Sequence, residues 1–482
     1  MKNSKLIKAL STFTSKEFKE FEKRVNNSFN KSEKHLLFIK IIATNFPNFD
    51  EKKINKELVF SQIYKKEKYV DIRIRELMSA LNKVLREYLV CIQSASNSFQ
   101  YEMDLLKQYN SRKLNSFYDS QLKLVKSILK KDQFKNKEYY RRAYLLASVE
   151  NDHFSKQNIR ALDGSIQTLV NNLDYFYFST KLIETCEMLN RQMLLNQHYE
   201  LNLFKEIEIL INNNKDTYFT QPTIICYYEI YKLFLTDDNL DQFEDTINVL
   251  KQNTQFFTNK ELKAIFDFPQ NYCIRNINKG NDKYLEKLFD LQNFLVDKEF
   301  NLVNGFISHG SYKNIITIAL KLKKYDWSKV FIEEFKEKVA PDMRENSYNF
   351  NKANYFFSVG KYDETLGVLN NVDFSDIYYA SSSKTLMLKV YYLLGEYETL
   401  AYFITSFKLF LKRNKQVSIS YKKGADLFLI YFKKVFNIAE KKDFYTQVKI
   451  NSKLDVIKDE VNKETNIHNR NWLLEILENL KK

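Results

Sequence analysis

Glycine and proline are almost absent from this sequence, and their scarcity restricts the possible folds more than any other feature. Only 8 of the 482 residues are glycine and 4 are proline, against average usage of roughly 7% and 5%. Sheet-rich and doubly wound folds need these residues at their many turns, whereas long helices joined by short polar turns do not. The sequence therefore predicts an all-α protein. Because 44% of its residues are hydrophobic, the chain can bury enough apolar surface to fold.

Two of the rare glycines belong to an internal repeat. The segment VGKYDETLGVL, residues 359–369, recurs as LGEYETLAYFI, residues 394–404. Each copy has an apolar residue, a glycine (Gly360 or Gly395), a charged residue, a tyrosine and then an amphipathic run. The two glycines are 35 residues apart, close to the period of about 34 residues in tetratricopeptide repeats.

The glycine has a physical role in such a repeat. A residue without Cβ adopts positive φ easily, so it can end one helix and turn the chain into an antiparallel partner. Weaker copies place Lys323 at the glycine position in residues 322–332, and Phe444 at the tyrosine position in residues 439–450. One hairpin cannot bury its own apolar face, so several are expected to stack into an α-solenoid. The alternative is chance helix–glycine–helix turns in an ordinary helical bundle.

Several segments resemble an uncharacterised family of bacterial TPR-like (tetratricopeptide-repeat-like) proteins. They are SKEFKEFEKRVNNSFN at 15–30, LDYFYFSTKL at 173–182, YDWSKVFIEEF at 325–335, RENSYNFNKANYFFSVGKYDETLGVL at 344–369 and KTLMLKVYYLLGEYETLAYFITSFKLFLKRNK at 384–415. The resemblance extends from about residue 10 to about residue 435. It implies a TPR-like α-solenoid of unassigned function, and it implies no catalytic residue.

We predict three regions from these patterns. Residues 1–96 form an N-terminal basic helical module, residues 97–300 an irregular helical-hairpin solenoid, and residues 301–482 the TPR-like repeats. The last segment, NRNWLLEILENLKK, is expected to be a capping helix, because a terminal repeat would otherwise expose its core. Glycine and polar residues cluster in NKGND, residues 278–282, where a break in the stack is plausible.

The positive charge is concentrated at the amino-terminal end. Residues 1–90 hold 20 lysines and arginines against 11 acidic residues, within a chain of net charge +15. The basic residues around one predicted helix–turn–helix are Lys65, Lys66, Lys68, Arg73 and Arg75. They are compatible with a module that reads a nucleic-acid duplex, and also with a solvated face of a helical cap. The predicted core side of the second helix comprises Ile72, Ile74, Leu77, Leu81, Val84 and Leu85.

A second predicted surface is the concave groove of the carboxyl-terminal repeats. If Gly360 and Gly395 fix the register, the first helix of each repeat directs one set of positions inward. These partner-binding candidates are Lys313, Thr317, Lys321, Asn354, Ser358, Lys389 and Tyr392. Ammonium groups beside aromatic rings suit an acidic or extended peptide. The alternative is that these lysines only keep the protein soluble.

Residue patterns for catalysis and metal binding are missing from the sequence. Phosphate-binding loops need closely spaced glycines, and the nearest pair, Gly305 and Gly310, has no Lys-Ser/Thr after it. The five histidines are far apart and the four cysteines contain no C-x-x-C pair, so we expect no metal, no cofactor and no enzyme activity. With no apolar stretch near the ~18 residues of a membrane span and no secretory signal, we predict a cytoplasmic protein that does not enter membranes.

The sequence thus favours a non-enzymatic scaffold or adaptor that binds another protein or a peptide in its groove. The alternative function is a nucleic-acid-associated regulator that uses the basic amino-terminal module. The identity of either partner does not follow from the sequence.

Overall fold

The computed structural model describes residues 1–96, 98–157, 164–195, 198–372, 377–414, 419–464 and 466–481. These residues contain 24 α-helices, and their only named strands form a hairpin of β1 (Leu302–Val303) and β2 (Phe306–Ile307). The all-α prediction is therefore confirmed.

The chain forms two compact units, Met1–Tyr177 and Phe178–Lys482. The helices of the first unit are α1 Lys5–Leu10, α2 Ser15–Ser28, α3 Glu33–Ala43, α4 Lys56–Tyr64, α5 Asp71–Ser96, α6 Ser98–Ser111, α7 Asn115–Lys131 and α8 Lys137–Lys156, and α9 Ser165–Leu195 contains the division. The predicted boundaries at 96/97 and 300/301 lie inside these units and remain predictions.

The second unit continues with fifteen further helices within the described residues. They are α10 Phe204–Asn213, α11 Lys215–Tyr218, α12 Pro222–Leu235, α13 Leu240–Gln252, α14 Asn259–Asn278, α15 Lys283–Asp297, α16 His309–Lys321, α17 Tyr325–Phe335, α18 Arg344–Ser358, α19 Tyr362–Leu369, α20 Ile377–Leu394, α21 Tyr397–Arg413, α22 Ile419–Glu440, α23 Gln447–Lys463 and α24 Arg470–Lys481.

Helices α1 to α5 share one buried core. Phe18 and Phe21 of α2 pack into it because their spacing places them on one helical face. Tyr88 of α5 donates its hydroxyl to the Glu17 carbonyl oxygen at 2.8 Å and ties α5 to α2. Five of the six residues predicted for the core side of α5 are buried. The prediction for Ile72 is wrong, since its side chain is 62% exposed in the first turn of the helix.

Helices of the second unit pack mainly against their neighbours in the chain. Contacting pairs are α12 with α13, α14 with α15, α16 with α17, α18 with α19 and α20 with α21. The first helices of successive pairs also touch, since α12 contacts α14, α16 contacts α18 and α18 contacts α20. Each amphipathic helix therefore buries its apolar stripe against both its own partner and an adjacent pair.

The turn at Gly360 has the geometry that the repeat predicts. Gly360 has φ +79°, and its amide donates to the Phe357 carbonyl oxygen, while the Lys361 amide donates to the Phe356 oxygen. These two bonds are the pairing of a Schellman motif, which satisfies the last carbonyls of a helix. Gly395, with φ +75°, repeats the same two bonds at the end of α20.

The same type of turn occurs at Lys323, which replaces the glycine, and in the NKGND segment, where the sequence allows a break in the helical stack. Lys323 takes the glycine position with φ +58°, and the amides of Lys323 and Lys324 donate back to α16 in the same pattern. Gly280 of the NKGND cluster, with φ +92°, forms another copy between α14 and α15, which pack together. The clustered glycine and polar residues at 278–282 thus form a tight interhelical turn.

The weak copy around Phe444 differs from the others. Phe444 lies in a short 3-10 helix and is 85% exposed, whereas the equivalent Tyr362 and Tyr397 begin helices. The next helix, α23, begins only at Gln447. The prediction that Phe444 takes the tyrosine role is therefore wrong, because the helix start lies three residues later in the chain.

Exchanging the turn residues should change stability in opposite directions. Gly360→Ala is expected to lower the free energy of unfolding by about 1 kcal/mol, because an L-residue is strained at this φ although nothing lies near its added Cβ. Lys323→Gly removes that strain and should raise the unfolding free energy by up to ~1 kcal/mol. Urea-denaturation midpoints followed by circular dichroism test both variants, and equal shifts in one direction would contradict the assignment.

The last helix, α24, packs against the two helices before it, and its role as a cap of stacked repeats remains a prediction. Leu473, Ile476 and Leu477 of α24 are buried against α22 and α23. The chain leading into α24 approaches α22 closely: the His468 amide donates to the Gly424 carbonyl oxygen at 3.2 Å. A Cβ on Gly424 would lie only 2.6 Å from Cδ2 of His468. Glycine in the second turn of α22 leaves the space that this approach needs.

Two further features concern the sequence predictions. Among the described residues, no helix has the length and apolar character needed to span a membrane. The four cysteines carry free thiols, of which Cys91 is exposed while Cys186, Cys226 and Cys273 are buried.

Candidate functional site

The predicted groove residues lie on three helices that contact one another, α16, α18 and α20. Lys313 of α16 extends toward the other two helices. Its Nζ lies 3.3 Å from Oγ of Ser382 and 5.4 Å and 5.8 Å from the ring centroids of Phe350 and Tyr379. An ammonium group over aromatic faces is held by the ring quadrupoles. Lys313 thus forms a positively charged contact across the α16, α18 and α20 helices.

Lys389 of α20 makes a similar arrangement near the carboxyl terminus. Its Nζ donates a 2.7 Å hydrogen bond to Oδ1 of Asn469 and lies 5.1 Å from the ring centroid of Trp472. The ring of Phe357 on α18 lies 6.0 Å away. The ammonium group is thereby enclosed by aromatic surface from α18 and α24.

The electrostatics at Lys389 favour an anionic ligand. Burial lowers the pKa of Lys389, with a smaller contribution from the positive charge of Lys321, and the value is about 7 although the carboxylate of Glu475 opposes the shift. Lys321 is exposed at the end of α16. A carboxylate placed between the two lysines would lessen their repulsion and favour the protonated form of Lys389.

Three other predicted contact residues use their donors within their own helices. The Thr317 hydroxyl donates to the Lys313 carbonyl oxygen at 2.8 Å, and the Asn354 amide donates to the Phe350 oxygen at 2.9 Å. The Ser358 hydroxyl donates to the backbone carbonyl oxygen of Asn354 at 2.8 Å. These bonds leave mainly acceptor positions on the three side chains, and their role as partner contacts remains a prediction.

Tyr392 packs in an aromatic cluster at the end of α20. Its ring centroid lies 5.5 Å from that of Phe432 and 5.9 Å from that of Trp472, both in edge-on geometry. Burial raises its pKa above the ordinary tyrosine range. Sequence reasoning missed Trp472 and Asn469 as neighbours of this site. They are 80 or more residues from Lys389 in the chain, and no local pattern joins segments so distant.

The basic residues of the amino-terminal module divide into two groups. Lys65, Lys66 and Lys68 are exposed in the turn between α4 and α5. Both arginines are ion-paired, Arg73 with Glu67 and Arg75 with Asp71. Hydrogen bonds from Lys56 and Tyr69, together with the charge of Arg75, lower the pKa of Asp71 to about 2. Because a carboxylate lies beside each arginine, the two arginines add less positive potential to this surface than the three exposed lysines do.

Comparisons of the chain with protein-family models, with curated proteins and with solved structures give no match. The resemblance to a TPR-like family therefore remains a prediction from the sequence segments. What the fold itself defines is an all-α protein with recurring helical pairs.

Proposed function

We propose that this protein is a non-enzymatic scaffold or adaptor with a TPR-like stacked-hairpin architecture. The proposed ligand is an acidic or extended peptide segment of another protein. Support comes from the paired helices and from the recurring left-handed turn at Gly280, Lys323, Gly360 and Gly395. Stacked helical hairpins create extended surfaces that bind peptide segments.

The observation that carries the proposal is the placement of two lysines over aromatic rings that other helices contribute. Lys313 lies over rings from α18 and α20, and Lys389 over rings from α18 and α24. A lysine ammonium pairs with carboxylates without demanding one geometry, as an extended acidic segment requires. Lys321 adds a third positive charge beside Lys389.

Charge reversal tests the proposal directly. The double variant Lys321→Glu with Lys389→Glu should weaken binding of a fluorescent polyglutamate peptide by at least about tenfold, or ~1.4 kcal/mol. The control is the double variant Lys408→Glu with Lys412→Glu. Both lysines are exposed on α21, and the change in net charge is the same. Fluorescence anisotropy measures both. Peptide binding at these lysines would be contradicted if the Lys321/Lys389 variant kept its affinity for the peptide. It would also be contradicted if the control variant lost affinity to the same extent.

Peptide binding should also depend on pH through Lys389. Because a bound carboxylate raises the lysine pKa from about 7, binding takes up a proton, and affinity should be higher below pH 7 than above it. Lys389→Arg keeps the charge at all these pH values and should largely remove the dependence. Titration calorimetry in buffers of different ionisation enthalpy measures the proton uptake; zero uptake by the unsubstituted protein would contradict this role.

The second candidate function is nucleic-acid association through the exposed lysines of the α4–α5 turn. If Lys65, Lys66 and Lys68 each neutralise one phosphate, the logarithm of the binding constant should fall linearly with the logarithm of the salt concentration, with a slope of roughly −3. Changing all three to glutamine should abolish this dependence, whereas Lys408→Gln on α21 should leave it unchanged. Electrophoretic mobility shifts with duplex DNA measure it, and absence of binding at low salt would remove the nucleic-acid function.

A further inference from the structure

A partly enclosed cavity lies between α9, α12 and α14, which are not the helices that carry Lys313 and Lys389. Its volume is about 330 Å³, and apolar atoms make up the larger part of its wall. Phe234 and Ile274 contribute apolar side chains, and Arg275 brings a positive charge. A cavity of this size with an apolar wall and a few polar groups is the usual form of a small-molecule site.

The guanidinium group of Arg275 has one strongly bonded nitrogen and one weakly bonded nitrogen. Nη2 lies 3.1 Å from Oδ1 of Asp237 and 3.4 Å from the carbonyl oxygen of Thr236. Nη1 donates instead to Sδ of Met193, and a thioether sulfur is only a weak acceptor. Because a carboxylate oxygen accepts a much stronger, charge-assisted bond from arginine, a bound carboxylate would displace the flexible methionine side chain from Nη1.

The charges beside the cavity are not balanced. Among the described residues, the one carboxylate that pairs with Arg275 and Lys279 is Asp237, whose Oδ1 serves both cations at 3.1 Å and 3.2 Å. The neighbouring Asp238 pairs with Lys283, which does not line the cavity. Two cations therefore share one carboxylate that is itself 69% exposed, and one positive charge remains to attract an anionic ligand.

An accessible carboxamide lies one helical turn away from the arginine. Asn271 Nδ2 donates to Oδ1 of Asn190 at 3.1 Å, so α14 contacts α9 at this pair and at the pair of Arg275 and Met193. Residues three or four apart on a helix are separated by about 5 Å along its axis. Nδ2 of Asn190 has no protein partner among the described residues and is not buried. A ligand in the cavity can therefore accept hydrogen bonds from both Arg275 and Asn190.

We propose that the cavity between α9, α12 and α14 binds a small carboxylic acid with an apolar body. One carboxylate oxygen accepts from Nη1 of Arg275 and the other from Nδ2 of Asn190, while the ammonium group of Lys279 balances the charge. The hydrocarbon part of the ligand packs on Phe234 and Ile274. None of these residues belongs to the proposed peptide-binding set, so either proposal can fail without the other.

Hexanoate, butanoate and hexanamide test the two parts of the ligand separately. Titrations of each compound with the full-length protein, followed by NMR of the ligand signals, give the dissociation constants. We expect hexanoate to bind saturably, and hexanamide, which has the same length but no charge, to bind at least about tenfold more weakly. Butanoate should also bind about tenfold more weakly, because two fewer methylene groups are buried. Absence of saturable hexanoate binding, or equal binding of either comparison compound, overturns the proposal.

Substitutions around the shared carboxylate test the location of the site. Lys279→Gln, at an exposed position, should weaken hexanoate binding about threefold to fivefold. Lys283→Gln removes the same charge from outside the cavity and should leave the affinity unchanged. Asp237→Asn frees Arg275 and Lys279 from their shared partner and should strengthen binding, a gain that unfolding cannot produce. The location is wrong if both lysine variants weaken binding equally, or if Asp237→Asn weakens it.

Discussion

Replacing Gly424 with alanine is expected to loosen the docking of the terminal helix α24. The added Cβ would lie 2.6 Å from Cδ2 and 2.7 Å from Nε2 of the His468 ring. His468 also packs edge-on against Tyr421, with ring centroids 4.5 Å apart, so the ring has little room to retreat. Overpacking of this kind typically costs about 1–3 kcal/mol. Hydrogen exchange of the α24 amides should accelerate correspondingly.

Gly367→Ala provides the matched control for this prediction. Gly367 lies inside α19 and has nothing within 4 Å of an added Cβ. Alanine should therefore be neutral there, or stabilising by ~0.5–1 kcal/mol, because it is the better helix former. If the α24 amides exchange hydrogen faster in the Gly424 variant and not in the Gly367 variant, the close contact between Gly424 and His468 is supported. Unchanged exchange in both variants would mean that His468 moves aside freely.

The stability of the protein should rise with pH through the titration of Lys389. The pKa of this lysine is about 7 in the folded protein, against an ordinary value of 10.5. Between these values the unfolded chain binds more protons than the folded one, so raising the pH favours folding. The contribution reaches at most ~1.4 kcal/mol per pH unit. Below pH 7 both states are protonated, so stability no longer changes with pH through Lys389, and the cost of its charge in the folded protein remains in full.

Lys389→Met isolates this contribution. Methionine keeps much of the side-chain volume but removes the buried charge, so the variant should be more stable than the unsubstituted protein at neutral pH. The stability difference between the two proteins should shrink as the pH rises toward 10.5. Urea denaturation across this range measures the difference, and a constant difference would show that Lys389 titrates normally in the folded protein.

The sequence predicts features of the fold that depend on a few adjacent residues. The turns at Gly360 and Gly395 follow from the backbone freedom of glycine, and the Gly-x-Tyr pattern even locates Lys323, where the side chain gives no sign of positive φ. The scarcity of glycine and proline predicts the helical class. At the three turns the controlling hydrogen bonds lie within about one turn of helix.

Features that depend on distant segments are not predictable in this way. Nothing near Lys389 in sequence indicates Trp472 or Asn469, although these residues set its environment. Nor does a heptad-like pattern reveal that Ile72, at the first turn of α5, extends beyond the reach of the core. Nothing adjacent in the sequence marks Gln292 and Asn301 as buried, although only 5% and 7% of their surfaces are exposed.

The packing of neighbouring helices in the second unit has a consequence for how this part of the chain acquires its structure. Among the residues that the structure describes in this unit, every extensive helix–helix contact joins helices no more than two apart in chain order. Little loop-closure entropy is lost in forming such contacts, so they can form early and at many points along the chain. A growing nascent chain can therefore complete each hairpin soon after it emerges from the ribosome, before the last helix has been synthesised.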